Sequence, residues 1–256
     1  MGNLNDKRPV LIAHRGYSGR YPENTLLCYE AAYTHGAPYM ELDLQMTSDC
    51  VPVLHHDVSL QRMAGLEVDI QDITVDQFKS YPASYAERFG EEFNDNSFTT
   101  LEEFCHWLKA KPDVTIFVEI KQETIDSFGL QVFMDAVNRC IVEAKVEAQC
   151  VIISFNDLVV EYSRKISSMR TGWVLPKWTD KNKETLINLQ PDFMFCNKYY
   201  LPKEDENIWQ GSWQWAIYNL DDVESALAMA DRGIPFLETN EIGTLLSDDR
   251  LNDHSR

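Results

Sequence analysis

Residues 10–46 run VLIAHRGYSGRYPENTLLCYEAAYTHGAPYMELDLQM, and this stretch predicts one complete strand–helix–strand unit. The apolar run at 10–14 has the length of a buried strand, and a second run follows at 39–46. Between them, residues 26–35 suit a helix, with Asn24 or Thr25 as N-cap and Gly36 at the end. Two strands joined through a helix favour a parallel pair.

The same alternation continues along most of the chain. A capping box at Thr100 and Glu103 predicts a helix that extends to residue 109. Further helices are expected at 127–144, 182–189 and 221–232, and further strands at 51–55, 115–121, 150–155, 170–175, 193–197, 213–219 and 235–240. About eight βα units favour an α/β protein with a (β/α)8 TIM barrel over an open sheet. We expect one barrel domain across residues 1–256.

One segment breaks this alternation, at about residues 57–98. It is polar and weakly periodic, contains Gly65, Pro82 and Gly90, and is too long for an ordinary loop. The sequence therefore predicts a small inserted subdomain after the second strand region, placed above the mouth of the barrel.

The composition limits the partners of the protein. The 41 acidic residues outnumber the 23 basic ones and leave a net charge of -18, which disfavours nucleic acid and anionic membranes. We therefore expect a small-molecule substrate, with no nucleic-acid or membrane partner. No apolar run approaches the ~18 residues of a membrane span, and no signal peptide is visible, so a cytoplasmic enzyme is expected. The oligomeric state is left open.

Carboxylates stand at the ends of two predicted strands. Alternate residues of a strand share a face, so Glu41 and Asp43 point the same way, and so do Glu119 and Lys121. Barrel active sites assemble at the C-terminal strand ends, where three converging carboxylates would repel one another without a cation. Oxygen ligands indicate one divalent cation, Mg²⁺ or Ca²⁺, with Mn²⁺ as a further candidate. Surface carboxylates or structural ion pairs are the alternative interpretation.

Two histidines end apolar runs in the same region. His14 is followed by Arg15, and His56 closes the run at 51–55, whereas His55 should face away from its neighbour. Beside a metal cluster, two histidines suit a general acid and a general base for phosphoryl transfer. Structural histidines are the alternative. Arg15 and a lysine would reverse the acidic field for an anionic substrate.

Two further positions are candidates for substrate contact. The residues before Glu41 and before Glu238 follow the same pattern. In each case a glycine ends a predicted helix, a proline (Pro38 or Pro235) follows two residues later, and the glutamate follows three residues after the proline. If the two helix-to-strand connections match in geometry, Glu238 faces inward near His14. Chance similarity between the two segments is the alternative explanation. Trp215, on the seventh barrel strand, suits either the core or a substrate contact.

Together these residues resemble the glycerophosphodiester phosphodiesterase family. The matching motifs are Ala13-His14-Arg15-Gly16, Pro22-Glu23-Asn24-Thr25-Leu26, Gly36-Ala37, Glu41-Leu42-Asp43, Thr47-x-Asp49, Pro52-Val53-x-x-His56-Asp57, Leu60-x-Arg62, Thr100-Leu101-Glu102-Glu103, Glu119-Ile120-Lys121, Trp215-x-x-Tyr218-Asn219 and Thr239-Asn240. They span nearly the whole chain, and their order is highly specific. The resemblance implies a (β/α)8 barrel with a small insertion, and hydrolysis of glycerophosphodiesters to an alcohol and sn-glycerol 3-phosphate.

The resemblance also implies a role for each motif residue. By motif, the metal ligands of this chain would be Glu41, Asp43 and Glu119. Its acid/base pair would be His14 and His56, and its phosphate-binding residues Arg15 and Lys121. The chain departs from the family at Glu238, where small or apolar residues are usual, and in its version of the Trp-Thr-Val-Asn signature. A lysophospholipase D-type lipid hydrolase and a non-catalytic ligand-binding barrel remain the alternatives.

Overall fold

A closed ring of eight parallel strands forms the centre of the computed structural model, which describes residues 8–203 and 207–251. The strands are β1 Val10–Ala13, β2 Tyr39–Met46, β3 Pro52–Leu54, β4 Thr115–Ile120, β5 Cys150–Ser154, β6 Arg170–Val174, β7 Phe193–Asn197, β8 Gln214–Tyr218 and β9 Phe236–Thr239. The ring order is β1–β2–β4–β5–β6–β7–β8–β9, and β9 pairs with β1 to close it. The predicted TIM barrel is therefore confirmed.

Strand β3 lies outside the ring. It pairs antiparallel with the end of β2, with Leu44 opposite Leu54. The connection is a tight turn in which the Thr47 amide donates to the Val51 carbonyl at 3.1 Å. Such a short turn can join only antiparallel strands, because a parallel neighbour needs a long crossover.

Helices follow most barrel strands and cover the outside of the ring. The α-helices of the described residues are α1 Leu26–Thr34, α2 Gln61–Ala64, α3 Val75–Ser80, α4 Ala86–Phe89, α5 Leu101–Lys109, α6 Gln122–Phe128, α7 Leu130–Ala144, α8 Asp157–Ile166, α9 Asp180–Leu189, α10 Val223–Asp231 and α11 Ile242–Leu246, of which α2, α3 and α4 lie apart from the ring, between β3 and α5. Thr25 caps α1, and both hydrogen bonds of the predicted capping box form at the start of α5. Within the described ranges, no helix is long and apolar enough to cross a membrane.

The predicted single helix at 127–144 is wrong in its bounds. The chain enters α6 directly after β4, and a second helix, α7, begins only after a break. The break lies at Gly129, whose φ of 85° belongs to the left-handed region that glycine adopts without strain. A glycine in this conformation ends the first helix and lets the chain restart in a new direction.

Alternation along the strands separates two layers of core. Inside the ring, apolar side chains fill the barrel axis: Ile12, Phe117, Val151, Ile153, Val174, Phe193, Phe195, Ala216 and Phe236. Outward-facing residues such as Met40 and Leu42 pack in the other layer, beneath the helices. Met40 and Leu42 point outward. Glu41 and Asp43 alternate with them along β2, so both point into the barrel.

Residues 57–98, here named the β3–α5 segment, contain α2, α3 and α4. Their apolar side chains form a cluster of their own with Val53, in which the Phe78 and Phe98 rings stack at 4.5 Å between centroids. An ion pair of 2.7 Å between Lys79 Nζ and Glu103 Oε2 joins the segment to α5. The segment is therefore ordered by local packing and tied to the barrel wall.

Candidate active site

The inward rows of the barrel end in polar groups at the C-terminal ends of the strands. Asp43 on β2 pairs in register with Glu119 on β4, and Glu238 on β9 lies opposite Ile12 on β1. Glu119 and Glu238 open onto a cavity of about 120 Å³. The cavity is lined by His14, Arg15, Glu41, His56, Glu119, Lys121, Ile153, Phe155, Val174, Phe195, Tyr218, Asn219 and Glu238. Closure of the barrel thus gathers most of the candidate residues in one place.

Three carboxylates in this cavity could hold a metal ion. One oxygen from each of Glu41, Asp43 and Glu119 lies within 4.8 Å of the other two. Glu41 Oε1 is buried and has no hydrogen-bond partner. Burial, together with the neighbouring Asp43 and Glu238 carboxylates, raises the pKa of Glu41 well above its ordinary value. An acidic cluster with an orphaned buried oxygen fits a hard divalent cation.

Lys121 and Arg15 keep one of these carboxylates charged. Lys121 Nζ lies 2.7 Å from Asp43 Oδ1 and 2.8 Å from Glu119 Oε1, while Arg15 Nε lies 3.0 Å from Asp43 Oδ2. Burial opposes ionisation of Asp43, but Lys121 and Arg15 together hold its pKa well below its ordinary range. The same contacts raise the pKa of the Lys121 ammonium despite its burial.

Acidic groups nevertheless outnumber basic ones around the cavity. The carboxyl groups belong to Glu23, Glu41, Asp43, Asp57, Glu119 and Glu238. The permanent cations belong to Arg15, Arg62 and Lys121. An anionic ligand would meet a net negative site here, so positive charge supplied by a bound cation would make anion binding favourable.

Asn24 orients the central carboxylate. Its Nδ2 donates to Asp43 Oδ2 at 3.0 Å, and its Oδ1 accepts the Asp43 amide at 3.2 Å and the Tyr29 hydroxyl at 2.9 Å. Asn24 has a φ of 57°, which asparagine tolerates better than most residues. The sequence pattern indicates Asn24 or Thr25 as the start of a helix and does not reveal this contact. Thr25 is the N-cap of α1. Asn24 precedes it with a left-handed backbone, and its side chain binds Asp43 instead of capping the helix.

The loop that follows β1 is pressed against α1. Gly16 has a φ of 83°, and a Cβ atom there would lie 2.8 Å from Cys28 Sγ. Only glycine allows this approach without displacing the helix. The Arg15 amide then donates to Glu41 Oε2 at 3.1 Å, so the loop reaches the carboxylate cluster through its backbone as well as its side chain.

His14 is held in one orientation. Its Nδ1 lies 2.8 Å from Asn240 Oδ1, and Asn240 Nδ2 in turn donates to Asp221 Oδ2 at 2.9 Å. This network assigns the proton to Nδ1 and turns Nε2 toward Glu238 Oε1 at 3.6 Å and Glu41 Oε2 at 3.9 Å. Burial and the charge on Arg15 lower the pKa of His14 to about 4, so the ring is neutral at pH 7 with a free lone pair on Nε2.

The adjacent histidines, as expected from the sequence, have different surroundings. His56 lines the cavity, and its Nδ1 lies 2.6 Å from Asp57 Oδ1. His55 is buried, its Nδ1 donates to the Asp57 carbonyl at 2.8 Å, and its ring packs beside Phe78 and Phe98. His55 therefore belongs to the apolar cluster of the β3–α5 segment, whereas His56 faces the candidate site.

The structure brings Glu238 into the cavity but not Trp215. Trp215 is only 6% exposed, stacks on Trp178 at 5.5 Å between ring centroids, and donates its Nε1 proton to the Trp209 carbonyl. Its side chain belongs to the core outside the ring, because Ala216 beside it points inward. Tyr218, two residues beyond Ala216, lines the cavity in its place.

A larger cavity of about 390 Å³ lies at the opposite end of the barrel, before β8 and β9. Its walls include Asn207, Trp213, Gln214, Arg232 and Pro235, and its lining contains neither a carboxylate nor a histidine. Size alone would favour this cavity, but both candidate histidines and the carboxyl groups of Glu41 and Glu119 line the smaller one.

Comparison with known proteins places the chain in a family. The sequence profile of the glycerophosphoryl diester phosphodiesterase family matches residues 14–187. The uncharacterized protein YqiK of Bacillus subtilis is 35% identical over 53% of this chain and 55% of its own length. The glycerophosphodiester phosphodiesterase of Caldanaerobacter subterraneus is 31% identical over 62% of this chain and 63% of its own length. The chain thus matches between about half and two thirds of these relatives.

A solved structure shares the fold over nearly its whole length. It is a phosphodiesterase of Oleispira antarctica in complex with the product sn-glycerol 3-phosphate. The TM-score is 0.81 at 20% sequence identity, and the match covers 94% of this chain and 96% of the other. At this identity the likeness supports the barrel fold.

We expect the carboxylate cluster to bind one divalent cation, since three oxygens converge there and one of them has no partner. Titration calorimetry with Mg²⁺, Mn²⁺ and Ca²⁺ should show one site, and Glu119→Gln should weaken it by at least about tenfold. The exposed neighbour Glu123 supplies the matched control, Glu123→Gln. Equal cation affinity in Glu119→Gln and the unmodified protein would contradict the assignment.

Proposed function

Because the chain belongs to the glycerophosphoryl diester phosphodiesterase family, we propose that it hydrolyses glycerophosphodiesters to an alcohol and sn-glycerol 3-phosphate. One observation supports this most strongly. Two histidines, an arginine, a lysine and the carboxyl groups of Glu41, Glu119 and Glu238 line one small cavity at the C-terminal end of the barrel, and Asp43 lies beside Glu41 and Glu119. Phosphodiester hydrolysis needs this combination of charge neutralisation and proton transfer.

The charged side chains divide the work of binding the phosphate. Arg15 and Lys121 offer N–H donors to its oxygens, and both remain protonated because Asp43 lies beside them. A divalent cation on Glu41, Asp43 and Glu119 would supply further positive charge to the phosphate as negative charge develops in the transition state. Asp43, oriented by Asn24, serves both the cationic side chains and the candidate metal position.

The histidines divide the proton transfers. His14 is neutral and presents the Nε2 lone pair, so it takes the proton of the nucleophile, either water or the neighbouring glycerol hydroxyl. His56 is the second imidazole on the cavity wall, and Asp57 accepts the hydrogen bond from its Nδ1. In the imidazolium form, with both nitrogens protonated, the Nε2 proton passes to the leaving alcohol and leaves a neutral ring. Glu238 Oε1 stands 3.6 Å from His14 Nε2, close enough for the Glu238 carboxyl group to contact the proton that His14 receives.

The size of the cavity favours a compact substrate. A volume of about 120 Å³ accommodates a phosphate and a short polyol, and is well below the roughly 300 Å³ at which drug-sized ligand sites begin. A lysophospholipid would have to place its acyl chain outside. Exposed aromatic surface is available for such a chain, which makes lysophospholipid hydrolysis the second candidate function. Phe155 lines the cavity and is 43% exposed, and Tyr199 is 82% exposed.

We expect His14→Ala and His56→Ala each to lower kcat by about 10²–10⁴, the scale of a lost general acid or base. His55→Ala should lower kcat far less, because its ring packs in the β3–α5 segment rather than in the cavity. Steady-state kinetics with a glycerophosphodiester measures the effect, and thermal unfolding checks that each variant folds. A larger loss of kcat in His55→Ala than in His56→Ala would overturn the assignment.

We expect a small diester, glycerophosphocholine or glycerophosphoethanolamine, to give a higher kcat/KM than a lysophospholipid, because the cavity holds only a compact group. Release of the alcohol and of glycerol 3-phosphate should be measured for each substrate under the same conditions. A higher kcat/KM for lysophospholipid in micelles would instead favour the lysophospholipase D-type function. Turnover of neither class would favour a ligand-binding barrel.

We expect Glu238→Gln to reduce kcat by about 10–100-fold while leaving cation affinity nearly unchanged. The reason is that Glu238 lies near His14 but outside the group of three carboxylates that could share a cation. Glu241→Gln is a suitable control, since Glu241 follows β9, three residues beyond Glu238, and pairs with Arg20. A large loss of cation affinity with Glu238→Gln would show that Glu238 is a ligand instead.

A further inference from the structure

One arginine of the β3–α5 segment contacts the partners of two site residues. Arg62 Nε donates to Asp57 Oδ2 at 2.7 Å, and its Nη2 donates to Glu23 Oε1 at 2.8 Å. Asp57 uses its other oxygen for His56 Nδ1, at 2.6 Å. Glu23 Oε1 also accepts a hydrogen bond from Arg15 Nη1, at 2.9 Å. The Arg62 guanidinium therefore links His56, through Asp57, to Arg15, through Glu23. Arg62 itself is not among the residues that line the cavity.

The β3–α5 segment fixes where this guanidinium lies. Leu60 and Met63, on either side of Arg62, are fully buried in the apolar cluster of the segment. The Arg62 guanidinium lies over the Tyr85 ring at 5.3 Å from its centroid, and the Tyr85 amide donates to the Met63 carbonyl. Packing on both sides of Arg62 and on the face of its guanidinium leaves the side chain little freedom to move.

Arg62 helps to keep both carboxylates ionised. Burial opposes ionisation of Glu23, but Arg15 and Arg62 lower its pKa to about 2. Burial likewise opposes ionisation of Asp57, and hydrogen bonds from His56 and Arg62 hold its pKa below its ordinary range. A planar guanidinium donates in two fixed directions, which a lysine ammonium cannot reproduce with the same geometry.

We propose that Arg62 is a positioning residue that orients His56 through Asp57 and Arg15 through Glu23, so that the β3–α5 segment sets the geometry of proton donation and of phosphate binding together. The proposal rests on the function proposed above for His56 and Arg15. It assigns to the segment, which we infer to be an inserted subdomain, a part in the reaction rather than only a cover for the barrel.

Arg62→Gln tests this with a kinetic split. Loss of the Asp57 contact should lower kcat, and loss of the Glu23 contact should raise KM, each by about 10–100-fold. Asp57→Asn should reproduce the kcat part, and Glu23→Gln the KM part. Double variants of Arg62→Gln with either change should be strongly non-additive, because the residues act through the same contacts. Additive effects in both double variants would overturn the proposal.

Arg88 provides a matched control. It lies in the same segment, its guanidinium stacks over Phe89 at 4.9 Å, and it donates to the Gly19 carbonyl rather than to a carboxylate. Arg88→Gln should leave kcat and KM near their original values. Should Arg62→Gln fail to fold, Arg62→Lys keeps the charge and the side-chain stem. Most of the kinetic loss is expected to remain in this variant, and full recovery by lysine would overturn the proposal.

A readout independent of turnover separates this proposal from the proposed function. In the unmodified protein the His56 Nδ1 proton, held by Asp57, should give a downfield imidazole N–H resonance in NMR spectra. That resonance should move upfield in Asp57→Asn and in Arg62→Gln, and stay in place in Arg88→Gln. An unmoved resonance in Arg62→Gln refutes the positioning role. Absence of diester hydrolysis with the expected NMR shifts refutes only the proposed function.

Discussion

The buried ion pair between Lys121 and Asp43 is the contact on which the arrangement of the candidate site depends. Strand pairing puts Asp43 and Glu119 in one row of the barrel, and the Lys121 ammonium lies within 2.8 Å of both. Removing one partner of such a buried pair costs about 3–5 kcal/mol, because the other charge is left without compensation. Arg15 and Asn24 complete the surroundings of Asp43, so three side chains from two parts of the chain converge on one carboxylate.

Glu41 and Glu238 differ from Asp43 in that their ion-pair contacts are to His14 rather than to a lysine or arginine. Glu41 keeps a buried oxygen that accepts no hydrogen bond, and such a group costs about 1–3 kcal/mol. Burial and the neighbouring Glu119 raise the pKa of Glu238 to about 8. The barrel therefore concentrates its electrostatic strain at the cavity that also holds both histidines. Perturbed groups collected in one cleft are the physical signature of a functional site.

Sequence patterns predicted the inward row of Glu41, Asp43 and Glu119, because side-chain alternation along a strand is a local property. They missed the contacts that orient this row. The sequence offers Asn24 or Thr25 as the cap and does not reveal that Asn24 binds Asp43, and it leaves Trp215 open between core and substrate contact, whereas the side chain packs outside the ring. A side chain's partner lies in another element, and only the packing of those elements decides which of two plausible roles it has.

The sequence by itself determined the barrel, most strand positions and the residue types of the site, because hydrophobic periodicity, caps and strand parity act over a few residues. Only the tertiary structure decided how these residues meet. Pairing of β9 with β1 brings Glu238 beside His14, and packing of the β3–α5 segment brings Arg62 between Asp57 and Glu23. Hydrogen bonds and ion pairs depend on distances of a few ångströms between residues far apart in the chain, and closure of the barrel sets those distances.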